Sequence, residues 1–293
     1  MKKFHGSIVA LVTPFKDGKL DEKALERMVE WHIQNGTNAI VPTGTTGECP
    51  TLTHEEHIRV IETVVQVAAG RIPVMAGAGS NNPVEAVYLS VAAEKAGADG
   101  LLHVAGYYNR PNQEGLYAHF KMVHDETSLP IFVYNIPGRA VVNVLPETLA
   151  KLSKLPRIMG VKDATGNLER PWVERMLIDK PDFTWLSGED ATQVSYNVAG
   201  GVGCISVTAN VAPALVAKVQ SLCAENRYTE ARELQDKLMP LHKLMFKEPS
   251  PGAAKYAASL LGLCTDEIRL PILNISEGLK AEVKAAMQKL ELI

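Results

Sequence analysis

Eight short apolar runs, each followed by a helical pattern, constrain this chain more than any other feature. The runs are "SIVALVTP", "AIVPTG", "IPVMAGAG", "GLLHVAG", "IFVYNIP", "IMGVKDA", "FTWLSGE" and "CISVTAN". Each is apolar on both of the faces a strand would present, so each needs cover on both sides. Between them, segments such as 21–36, 54–69, 83–97 and 113–127 carry apolar residues near a 3.6-residue spacing. Thr53 with Glu56 three residues on makes a capping box, and Pro83, Pro146 and Pro171 suit first-turn positions of helices. Doubly buried strands joined by helices run parallel, and eight such units in series predict an α/β fold, a (β/α)8 TIM barrel. An open doubly wound sheet is the alternative. It requires a topological switch, and nothing in the sequence marks one. The eighth helix is expected near 212–225, after which helical pattern continues to the end, broken at "EPSPG" (248–252). The expected division is therefore a catalytic barrel over 1–225 and a helical C-terminal appendage over 226–293. A length of 293 residues suits one barrel with additions.

Composition narrows the classes of partner. Thirty Lys and Arg against 33 Asp and Glu give no field that would favour nucleic acid or an anionic membrane. The N-terminal "MKKFHGSIVALVTPF" resembles a signal peptide only loosely. Pro14 stops its apolar run far below the roughly 20 residues of a membrane span, and a first strand fits better. Cys49, Cys204, Cys223 and Cys264 are scattered without a C-x-x-C pair, as suits free thiols in a reducing cytoplasm.

In barrels of this kind the chemistry sits where strands end and βα loops begin. The oddest polar residues lie at those places: "TGTTGE" (43–48), "YYNRP" (107–111), "YNIPGR" (134–139) and "KDATG" (162–166). Lys162 closes an otherwise apolar strand. It either snorkels to solvent or pairs with Asp163, or it is a nucleophile that forms a Schiff base with a carbonyl. A lysine in water is almost wholly protonated at pH 7, and freeing its neutral amine costs about 4–5 kcal/mol. Desolvation at the mouth of an apolar barrel lowers that cost. Tyr134, on the neighbouring strand, is either a core tyrosine or a proton shuttle for carbinolamine dehydration. The glycines of "TGTTGE" allow a tight turn, and its successive N–H groups and hydroxyls make a small anion site fit for a carboxylate. No G-x-x-x-x-G-K-[ST] follows, so a nucleotide triphosphate is not expected, and "GAGSN" (77–81) lacks the spacing of a dinucleotide fingerprint. Arg139 is a surface arginine or a bidentate clamp for a second carboxylate. His54 and His57 in "HEEH" lack the H-E-x-x-H spacing and an evident third ligand, so no metal is expected.

Together "GTTGE", "YYNRPNQEGLYAHF", "YNIPGR", "GVKDATGNL" and "GCISVTAN" resemble the dihydrodipicolinate (4-hydroxy-tetrahydrodipicolinate) synthases. These are pyruvate-dependent class I aldolases related to N-acetylneuraminate lyase. The similarity runs the whole length, including "LMPLH" and "EPSPGAAKYA". The lysine and "YNIP" are shared across the superfamily, whereas Arg139 and the Tyr107-Tyr108 pair favour the synthases. The resemblance implies that Lys162 forms an imine with pyruvate, whose carboxylate sits on Thr45 and Thr46. Tyr134, Thr46 and Tyr108 would relay protons, with Tyr108 supplied by an adjacent subunit. Arg139 would hold the carboxylate of L-aspartate 4-semialdehyde, and backbone at Gly188 and Ile205 would line the pyruvate pocket. No cofactor is implied, since the imine itself is the electron sink. The resemblance also implies a homotetramer built as a dimer of dimers, and an allosteric L-lysine site at His54, His57, Asn81, Glu85 and Tyr107. One departure is Ala105-Gly106 where the family often has Thr-Pro, which should free the loop of Tyr107 and Tyr108. Cys49-Pro50 also differs from the small residues common in the effector pocket. The rival enzyme class is another pyruvate aldolase, a sialic acid lyase or keto-deoxy sugar acid aldolase. A non-catalytic barrel would be expected to have lost the rim lysine or tyrosine.

Overall fold

A computed structural model describes residues 4–104 and 106–293. Eight strands lie at the locations of the eight apolar runs: β1 (Gly6–Ala10), β2 (Ala39–Val41), β3 (Met75–Gly77), β4 (Gly100–Val104), β5 (Ile131–Asn135), β6 (Ile158–Asp163), β7 (Thr184–Ser187) and β8 (Gly203–Ser206). Their order is β2-β1-β8-β7-β6-β5-β4-β3, every pairing parallel, and a parallel bridge from Ile40 to Val74 closes β2 onto the start of β3. The sheet is a TIM barrel. Its interior is packed by Ile8, Val41, Met75, Leu102, Phe132 and Leu186, among others.

Around it run α1 (Glu22–Gln34), α2 (His54–Ala68), α3 (Pro83–Ala96), α4 (Gln113–Glu126), α5 (Pro146–Ser153), α6 (Arg170–Leu177), α7 (Gln193–Val198) and α8 (Pro213–Ala224). The capping signals act as expected. Thr53 and Glu56 close a reciprocal capping box on α2, Asn82 caps α3 with Pro83 in the first turn, and Asn112 caps α4. Beyond the barrel, α9 (Tyr228–Leu244) and α10 (Gly252–Leu260) flank the "EPSPG" break, and α11 (Glu277–Lys289) follows. Leu238, Leu241, Ala253, Val283 and Met287 of these helices share one buried cluster with Val9, Met28, Val64 and Val216 of the barrel. Each fully buried leucine or methionine there contributes roughly 1.5–3 kcal/mol. The appendage is thus welded to the barrel wall. Among the described residues no helix is long and apolar enough to cross a membrane.

A single irregularity in β6 sets up the site. Ile131 pairs with Ile158, but Phe132 pairs with Gly160, so the register shifts by one residue. Ile158 and Val161 pack outward against the helices while Met159 joins the interior. An extra residue in one strand exchanges the faces of everything that follows. Without the shift, Lys162 would point into the helical layer. Gly160 makes the shift sterically possible, because a Cβ there would lie 2.7 Å from Phe132 Cε1.

Candidate active site

Lys162 ends β6 directly beside Tyr134 on β5, and the two are register partners. Both are 7% exposed, and Lys162 Nζ lies 3.9 Å from the centroid of the Tyr134 ring. Lys162 therefore neither reaches solvent nor pairs with Asp163, which faces the opposite side of the strand and lies 3.6 Å from Arg170 Nε. On the next strand over, Leu186 is the register partner of Lys162. Gly188 then gives the amine its room: a Cβ there would come within 3.1 Å of Lys162 Cε and 2.8 Å of Ala164 Cβ. Its N–H is tied back to Asp163 O at 2.7 Å, and Ile205 on β8 belongs to the same interior cluster.

The "TGTTGE" loop follows β2. Thr43 takes a positive φ of 53°, and its hydroxyl donates to Gly77 O at 2.9 Å. Only glycine fits at 77, since a Cβ would sit 2.4 Å from Thr43 O. The N–H groups of Gly47 and Glu48 close the turn on Gly44 O and Thr45 O at 3.0 and 3.1 Å. Thr13 Oγ1 donates to Gly47 O at 2.6 Å from below. Among the described residues the N–H groups and hydroxyls of Thr45 and Thr46 have no partner, which leaves four donors for an anion.

A cavity of about 400 Å3 opens at this rim, lined among others by Thr45, Val104, Tyr107, Ile136 and Arg139, with Lys162 and Tyr134 outside its lining. Arg139 stands on a one-turn helix, Pro137–Ala140, that the sequence did not announce. Among the described residues no carboxylate lies at ion-pair distance from it, although Glu189 feels its charge, so its fork can take a substrate carboxylate.

Cys49, His54, His57 and Glu85 line the same cavity. His54 Nε2 meets Glu85 Oε1 at 2.7 Å, and the Ser80 hydroxyl also donates to Glu85. These bonds, Ser80 first and then His54, hold the Glu85 carboxyl below its usual range. His57 turns inward to Gly77 O at 2.8 Å, and burial pulls its pKa down. The two histidines thus part company, and among the described residues no group of three or more His, Cys, Asp or Glu could hold a metal ion. Asn81 and Asn109 exchange two hydrogen bonds of 3.0 Å, which ties the Tyr107-Tyr108 loop to the start of α3. Ala105 lies outside the described residues. Gly106 packs on the Pro111 ring, and Arg110 N–H closes on Tyr107 O at 3.0 Å, contacts that hold residues 106–111. Tyr107 faces the cavity at 37% exposure, whereas Tyr108 is 89% exposed and outside its own chain's site.

Two groupings were not singled out by sequence. Behind β6, Arg170 binds Glu174 through two hydrogen bonds of 2.6 and 3.0 Å, and Trp185 Nε1 donates to the same carboxylate at 3.1 Å. Burial pushes Glu174 up to about 7 against the pull of Arg170. The second is Glu48 with Lys255, an ion pair between the rim loop and α10. Lys255 alone stands out, as a lone lysine in the alanine-rich "GAAKYAA", but that pattern does not name its partner.

Residues 3–290 match the dihydrodipicolinate synthetase family. The chain belongs to that family. A 4-hydroxy-tetrahydrodipicolinate synthase of Roseobacter denitrificans is 56% identical over 285 residues, covering 97% of this chain and 98% of that one. Among solved structures, a chloride-inhibited dihydrodipicolinate synthase of Acinetobacter baumannii, complexed with pyruvate, is 42% identical with a TM-score of 0.95 over 99% of each chain. The dihydrodipicolinate synthase of Cyanidioschyzon merolae with lysine bound is 35% identical, with a TM-score of 0.96 over 100% of each chain. Lys162 and Tyr134 lie side by side at the strand ends, the end of a TIM barrel where active sites are built.

Proposed function

We propose that this chain condenses pyruvate with L-aspartate 4-semialdehyde to give 4-hydroxy-tetrahydrodipicolinate, on the diaminopimelate route to lysine. The observation that carries this is Lys162 buried against Tyr134, with the Thr45–Thr46 donors and an unpaired Arg139 on the same rim. The neutral Lys162 amine attacks C2 of pyruvate, and the carbinolamine loses water to form the imine. Tyr134 moves the protons, with Thr46 and Tyr108 of a neighbouring copy completing the relay. Thr45 and Thr46 hold the pyruvate carboxylate while Gly188 and Ile205 shape the pocket around its methyl group. Loss of a C3 proton gives the enamine, which attacks the aldehyde held through its carboxylate by Arg139. The amino group of the adduct then attacks C2, closes the ring and releases Lys162. The imine serves as the electron sink, so the reaction calls on neither a metal nor an organic cofactor.

The same proposal includes assembly, regulation and compartment. Tyr88, Tyr107 and Tyr108 leave one exposed apolar face at the site mouth, and Trp172, Met176 and Val198 leave another, as a dimer of dimers would need. L-lysine bound by His54, His57, Asn81, Glu85 and Tyr107 would report to the rim through Tyr107, which adjoins Tyr108. The four cysteines carry free thiols, in keeping with a cytoplasmic site of action. We take 1–225 as the catalytic unit and 226–293 as its helical support. The test is a direct comparison: condensation of pyruvate with aspartate semialdehyde against cleavage of sialic and keto-deoxy sugar acids. Preferential cleavage would make the chain a sugar acid aldolase instead.

A further inference from the structure

Lys255 projects from α10 with none of its surface exposed, in a row of alanines at 253, 254, 257 and 258. An ammonium taken out of water is costly unless it is paired and hydrogen-bonded. Here Nζ lies 2.5 Å from Glu48 Oε1, donates to Glu267 O at 2.6 Å and sits 4.1 Å from the centroid of the Phe15 ring. Glu48 is 3% exposed, and its second oxygen accepts the N–H of Arg269 at 3.0 Å. The C-terminal appendage therefore holds this carboxylate by an ion pair without hydrogen-bond geometry at Oε1 and by a hydrogen bond at Oε2. The Arg269 guanidinium also stacks on Phe15 at 4.1 Å and binds Glu56, in the first turn of α2, through two bonds of 2.6 Å.

What this grip controls follows from the backbone. Glu48 is the left-handed residue, φ 56°, that turns the chain out of the rim loop, and its N–H is bonded to Thr45 O. A side chain held by an ion pair at one oxygen and a hydrogen bond at the other restricts that residue's orientation, and the Glu48 N–H bond to Thr45 O ties the turn of Thr45 and Thr46 to it. Two apolar side chains could fill the same space at no electrostatic cost, but they would impose no direction. We propose that Lys255 is a positioning residue which, through Glu48, sets the Thr45–Thr46 donors for the substrate carboxylate. This rests on the assignment of those threonines to pyruvate.

Lys255→Met alone strands a buried carboxylate and can unfold the chain, so the deciding variant is Glu48→Gln with Lys255→Met, which removes both charges and keeps the volume. The KM for pyruvate is expected to rise roughly ten- to a hundredfold, the scale of a small misplacement of a binding group. The KM for the aldehyde should stay near the wild-type value, and borohydride should still trap pyruvate on Lys162 at saturating concentration. Glu48→Gln alone leaves Lys255 an amide oxygen and the Glu267 carbonyl as acceptors, and where its melting temperature shows it folded it should move the pyruvate KM in the same direction by less. A pyruvate KM unchanged in both, with only a lowered melting temperature, would show that the pair is structural and overturn the proposal. Absence of trapping on Lys162 in the wild type would instead overturn the assigned function.

Discussion

The two halves of the candidate site are built differently. Lys162, Tyr134 and Ile205 lie on strands of the barrel, each less than a tenth exposed, with their directions fixed by register and by the shift at Gly160. Tyr107 and Tyr108 lie on a loop, and the second of them points almost wholly into solvent. A barrel strand aims a side chain through neighbours on both sides, so the nucleophilic half is complete in one chain. The loop half has to be completed by something else. Under the proposed function, that contrast places imine formation in the single chain and the full proton relay in an assembly.

The largest effect should come from the rigid half. Lys162→Ala is expected to cut turnover by several orders of magnitude, because the other buried lysine among the described residues, Lys255, is engaged by Glu48. Steady-state rates that fall only a few-fold would place the nucleophile elsewhere. Next, mixing Tyr108→Phe with Lys162→Ala subunits should restore up to roughly a quarter of wild-type activity, since each mixed dimer regains one site with both groups. No recovery despite demonstrated subunit exchange would put Tyr108 to work within its own chain and erase the contrast.

A smaller effect concerns the link between the halves. L-lysine at millimolar concentration should lower the initial rate of the wild type, and Glu85→Ala should blunt that response without loss of basal rate. Equal curves for the two proteins, inhibited or not, would remove Glu85 from an effector site. The smallest is a pH effect behind β6. Burial holds the Glu174 pKa at about 7, above its ordinary 4.5, so the native chain binds this proton more tightly than the unfolded one. The stability it contributes is complete below about pH 4.5 and is lost as the pH rises through about 7. Glu174→Gln should flatten the urea midpoint across that window, and an unaltered slope would exclude Glu174 as its cause.

Much of this architecture was legible because doubly buried strands leave a plain mark. Each apolar run became a strand, and Thr53, Pro83 and Pro146 marked helix starts because capping and the fixed φ of proline act locally. Lys162 stood out as a charge at the end of an apolar run. The shift that aims it did not, because in "IMGVKD" both faces are apolar and periodicity cannot show which face gains a residue. The hairpin of Phe15–Lys16 with Lys19–Leu20 and the turn Pro137–Ala140 are too short to carry a period. Glu48 and Lys255 were beyond reach for another reason: their meeting depends on how the appendage folds back, and nothing local to either residue encodes the partner.

The central claim is that Lys162 forms a covalent imine with pyruvate beside Tyr134 at the mouth of the barrel. The most direct measurement is reduction of the wild-type protein with borohydride in the presence of pyruvate, followed by mass spectrometry of its peptides. We expect one reduced pyruvate adduct per chain, on the peptide that carries Lys162, and none in Lys162→Ala. An adduct on another lysine, or none while the enzyme turns over, would contradict the account.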